Sequence, residues 1–282
     1  MGNEARLRIA PATPPAAWFA AVAAPWTIVA LLALLALLAI AAAAWVATAV
    51  RMAGMDAGPG TDPGPLGFYL STWTVMMAAM MLPSAAPAVL GYGGTVSRRG
   101  GHLVATAWFA GGYLALWAVS GLVGYALLEA GRSPAPAAFA WDNAGRWVAV
   151  GVLVVAAAYE LTPAKRACLS RCRAERGGNA VGREGAGSAL RAGVGYGGWC
   201  LGCCWAMMAG LFALGAMSLV WMALITVLVG AQKLLPWKRA TLLGSALLLL
   251  ALAVGLAVAA SSVPGLTVPG GGSAMHAMTM MH

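Results

Sequence analysis

From Pro25 to Val50 the chain runs 26 residues without one charged side chain. Comparable apolar stretches recur along its length, and no other feature limits the possible folds so strongly. A hydrocarbon core about 30 Å thick is crossed by roughly 20 helical residues. In lipid, backbone polar groups have to be satisfied within the segment, so an apolar run of this length favours a helix. The runs are continuous and rich in Leu and Ala, without the short alternating strands of a membrane barrel. Only 9% of the 282 residues are charged, against about a quarter in soluble domains, and 61% are hydrophobic. The sequence predicts an all-α, polytopic transmembrane helix bundle of about seven spans.

These spans lie near 26–50, 68–92, 103–130, 145–162, 190–212, 216–232 and 239–262. Residues 1–25 precede the 26–262 helical domain as a cytoplasmic segment, 163–189 form a basic cytoplasmic loop, and 263–282 form an external tail. Arg6 and Arg8 followed by an apolar run resemble a secretory signal, but the run exceeds the roughly 7–15 residues of such a core, which favours a retained anchor. With the N-terminus inside, fourteen of the seventeen Lys and Arg residues fall on the cytoplasmic side, leaving only Arg51, Arg132 and Arg146 outside. This positive-inside bias supports an odd number of spans, with the C-terminus external, in a periplasm if the cell has one. The net charge of +9 therefore fits a lipid bilayer. No basic domain with interleaved aromatics points to nucleic acid.

Sulfur marks two of the spans. In the second, Trp73, Met76, Met77, Met80, Met81 and Ser84 recur at the spacing of one helical face, beside Pro83, where a break or kink is expected. One or two Met residues in a helix commonly fill packing gaps. In the fifth, Cys200, Cys203, Cys204, Met207 and Met208 repeat the same spacing. At 1.5 Å per residue the Met cluster lies about 12–20 Å into the bilayer and the Cys cluster about 15–21 Å from the other side, so the two can share a depth. Gly195, Gly198 and Gly202 form a small-residue strip expected to admit a neighbouring helix.

Thiolate and thioether donors suit Cu(I) above other ions, and no His, Asp or Glu lies in either stripe. One Cu(I) with two thiolates leaves a negative charge that calls for a cation or polar neighbour. Lys233 is one candidate, although the span model sets it far from the thiols. Two groups flank the centre as secondary metal or redox candidates. Cys168 and Cys172 stand four apart among cations at the cytoplasmic face, while Met275, His276, Met278, Met280, Met281 and His282 form a tail suited to metal capture. Glu129, Asp142 and Glu160 fall near span ends, where charges can reach water.

At these residues the chain resembles a family of bacterial polytopic proteins described as predicted metal-binding integral membrane proteins. The resemblance rests on Trp73 through Ser84, Leu161-Thr162-Pro163 with Lys165, Cys168, Leu169 and Cys172-Arg173, and Gly202-Cys203-Cys204-Trp205 with Met208. Gly215-Ala216-Met217, Trp221-Met222, Lys233 and Pro236 continue it, with Gln232 where an acidic residue is expected before the Lys. It covers roughly residues 70–240 and implies metal binding in a bacterial inner membrane. The leading expectation is a Cu(I) carrier, chaperone or sensor that exchanges copper with a donor or acceptor protein. A copper enzyme or cuproenzyme-assembly subunit, a thiol–disulfide oxidoreductase using Cys203-Cys204 and Cys168/Cys172, and a packing scaffold are the alternatives. No nucleotide-binding motif supports ATP-driven pumping.

Overall fold

The computed structural model describes residues 25–52, 64–96, 102–132, 145–174, 185–214 and 218–259. Among them are eight helices and no strand: α1 (Pro25–Met52), α2 (Leu66–Val96), α3 (His102–Arg132), α4 (Arg146–Glu160), α5 (Pro163–Ala174), α6 (Ala186–Leu214), α7 (Leu219–Leu234) and α8 (Lys238–Ala259). The fold is all-α. Five helices, α1, α2, α3, α6 and α8, are each long and apolar enough to cross a membrane. A sixth crossing requires α4 and α5 together, which are bent by 64° at Leu161-Thr162. The remaining expected span, α7, is apolar but has 16 residues, a rise of about 24 Å.

Large apolar side chains cover the outside of the bundle. Leu35 is 61% exposed, Leu247 65% and Val258 80%, as expected where the solvent is hydrocarbon. Two helices, α2 and α6, supply larger shares of the interior than any other. Helix α2 is buried around its whole circumference between residues 76 and 82, so burial alone does not separate its Met face from Ala78, Ala79 and Leu82. It continues through Pro83 and Pro87 without the expected break. Neighbouring helices commonly sustain a proline-containing membrane helix in this way.

Helix α6 is the hub, packing on α3, α4, α5 and α7. Its close approach to α3 depends on paired glycines. A Cβ on Gly193 would stand 2.0 Å from the Phe109 carbonyl oxygen, and one on Gly112 would stand 2.2 Å from that of Leu190. This corrects the expected strip: Gly195 and Gly198 face outward, with nothing among the described residues within 4 Å of a Cβ. Of the three predicted glycines, only Gly202 meets another helix, at Cys168.

Helix α5 is the element the span pattern did not register. It begins the segment assigned to the basic loop, yet Lys165, Leu169 and Cys172 on one face are buried against the bundle. Arg166 and Arg171 remain exposed on the other.

Candidate metal centre

Cys200, Cys203, Cys204, Met207 and Met208 all lie on the buried side of α6, while Trp199 and Trp205 face outward. This arrangement follows from the spacing, since a helix places residues three and four apart on one face. The Cys203 Sγ contacts the Cys204 Sγ at 3.4 Å and donates to the Cys200 carbonyl oxygen at 3.2 Å.

Helix α5 brings a fourth thiol to the cluster. After the 64° bend that follows Glu160 it packs against α6, and the Cys172 Sγ lies 3.8 Å from the Cys203 Sγ. Cys168 lies one turn earlier, half-buried, with its Sγ 3.0 Å from where a Gly202 side chain would begin. The Tyr159 hydroxyl donates to the Gly202 carbonyl at 2.6 Å and joins α4 to the same turn of α6.

Lys233 of α7 reaches the centre, contrary to the expected separation. Its Nζ donates to the Cys200 Sγ at 2.9 Å and to the Ser84 Oγ at 3.2 Å. One ammonium thus touches both the Cys stripe of α6 and the Ser84 end of the Met stripe of α2. The Tyr113 hydroxyl meets the Cys200 Sγ at 3.2 Å from the α3 side. Met76, Met77, Met80 and Met81 belong to the same continuous buried core as the four inner cysteines. Trp73 has a structural task within that stripe: its Nε1 donates to the Trp117 carbonyl at 2.8 Å and its ring stacks on Phe212.

Beside the sulfur cluster lies a buried polar network. Glu160 and Lys165 form a fully buried ion pair across the α4–α5 bend, at 2.7 Å. This corrects the expectation that Glu160 reaches water. Lys165 also donates to the Cys203 carbonyl, tying the pair to the thiols. The Gln232 side-chain amide donates to the other Glu160 oxygen at 2.6 Å and to the Ser245 Oγ at 2.9 Å, and the Gln232 backbone carbonyl accepts from Arg173. The amide at this position therefore serves as a donor to Glu160.

The closest sulfur contacts are pairwise, and no group of three or more His, Cys, Asp or Glu among the described residues is arranged as a metal site. Compared with known protein families, residues 70–257 match PpoB2, described as a copper chaperone. The chain belongs to this family.

Membership ties the protein's function to copper. The matched range of the PpoB2 copper chaperone family begins within α2 and ends within α8, so it contains all five cysteines and both Met stripes. Helix α1 and the C-terminal tail fall outside it. No curated protein and no solved structure matches. The tail residues Met275, His276, Met278, Met280, Met281 and His282 lie outside the described residues.

Sequence reasoning missed Tyr113, the Glu160–Lys165 pair and the role of Gln232. Ionisable and amide groups within apolar helices were the available signal, because they are costly there and mark function or pairing. Tyr196, four residues before Cys200 and packed against Tyr113, was missed too. Its hydroxyl is buried without a hydrogen-bond partner among the described residues.

Proposed function

We propose that the protein binds Cu(I) and hands it on at a buried sulfur site within the bilayer. Cys200, Cys203 and Cys204 of α6 and Cys172 of α5 are the thiol donors, two of them ionised in the loaded site; Met76, Met77, Met80 and Met81 of α2, with Met207 and Met208, supply thioethers. The observation that carries this reading is the Lys233 ammonium set against Cys200 and Ser84 beside the cysteine cluster. One Cu(I) and two thiolates carry a net negative charge, which the ammonium balances in a medium that strongly penalises isolated charge. A divalent ion on the same two thiolates would leave a net positive charge. Thioethers complete a Cu(I) shell without adding charge and contribute little to zinc binding.

The reduced protein is expected to bind Cu(I) or Ag(I) tightly and Zn(II) poorly in chelator competition. Exchanging Met80 and Met81 for Leu keeps volume nearly constant, so folding survives while copper affinity falls. A thiol–disulfide exchange role draws on the Cys172–Cys203 contact but leaves the methionines unused. Unchanged copper binding in the Met80→Leu/Met81→Leu variant would reduce that pair to packing and favour the thiol-exchange reading.

A further inference from the structure

Resting on that reading, we propose that Cys168 is the loading point of the buried site: a thiol-bound Cu(I) donor passes the ion to Cys168, from there to Cys172, and then to the α6 cluster. Cys168 is half-buried, whereas Cys172, Cys200, Cys203 and Cys204 are all buried. An ion arriving from outside the bundle therefore meets Cys168 before any other thiol of the chain. The spacing of four places Cys168 and Cys172 on one face of α5, about 6 Å apart along its axis. Both lean on α6. The Cys168 Sγ rests at Gly202, and the Cys172 Sγ reaches Cys203 at 3.8 Å. The seam between the two helices thus holds a row of thiols running from the bundle surface to the core.

Each transfer along this row is a ligand exchange. The incoming sulfur forms a bond to copper and yields its proton to the thiolate that leaves, so Cu(I) keeps its oxidation state and no oxidant or reductant is consumed. The exposed Arg166 and Arg171 lie on the same helix as the loading thiol. They favour the approach of an anionic thiol complex. A methyl group at Gly202 would stand 3.0 Å from the Cys168 Sγ, so that thiol would have to shift by a few tenths of an ångström.

The test separates rate from affinity. Full-length reduced protein in detergent is mixed with Cu(I)–glutathione; uptake is followed by stopped flow and equilibrium affinity by chelator competition. Exchange rates depend on access to the attacking thiol, so Cys168→Ser should slow uptake by about tenfold or more while changing affinity by less than about twofold. Gly202→Ala, which keeps every sulfur, should slow uptake in the same direction. Uptake by Cys168→Ser at the unsubstituted rate would overturn the proposal. So would a loss of affinity as large as that of Cys200→Ser, which would place Cys168 in the storage site. Absence of Cu(I) binding by the unsubstituted protein would instead refute the metal-site reading on which the proposal rests.

Discussion

Lys165→Met is expected to destabilise the folded protein by about 3–5 kcal/mol, because it leaves the Glu160 carboxylate buried without its cation. Both side chains are fully buried, and the Gln232 amide also donates to that carboxylate. Replacing both members is a different perturbation. Glu160→Gln combined with Lys165→Met removes the two charges together, so most of the lost stability should return. Thermal unfolding in detergent, followed by loss of the monodisperse species, measures both variants. A double variant as unstable as the single one would show that the pair is not what holds the α4–α5 bend. Lys165 also donates to the Cys203 carbonyl, so the single variant should loosen the thiol cluster as well.

Lys233→Leu is expected to alter metal preference as well as affinity. Removing the ammonium leaves one Cu(I) and two thiolates with an uncompensated negative charge, and Cu(I) affinity should fall by about 10–100-fold, as for other groups that support metal ligands. A divalent ion on the same thiolates becomes neutral, so the preference for Cu(I) over Zn(II) should narrow further than the fall in Cu(I) affinity alone. Parallel competition titrations with the two ions read this directly. Equal proportional losses for both would assign Lys233 to packing instead of charge balance.

The apolar runs located five long helices closely, because the need for about 20 apolar residues leaves little freedom in a membrane-spanning segment. The same reasoning hid α5. Its Lys165, Arg166, Arg171 and Arg173 read as a cytoplasmic loop, although Lys165, Leu169 and Cys172 repeat at i, i+4 and i+7, the period of a buried helical face. The assumption that cations stay in water outweighed that period, and the fold contradicts it by pairing Lys165 with Glu160. The α6 stripe was legible because helical spacing alone decides which side chains share a face. The position of Lys233 was not, because depth along a span says nothing about which neighbour a helix turns toward. The Gly195/Gly198 strip failed for the same reason: small residues permit close approach on any face, and the approach occurs at Gly193 and Gly112.

X-ray absorption at the copper edge tests the central claim most directly, using reduced, Cu(I)-loaded protein truncated after Gly272 so that the Met/His tail contributes nothing. A site built from Cys172, Cys200, Cys203, Cys204 and the methionines predicts monovalent copper surrounded by sulfur alone, with the sulfur count falling in Cys203→Ser. A first shell containing nitrogen or oxygen, or one unchanged by Cys203→Ser, would contradict it.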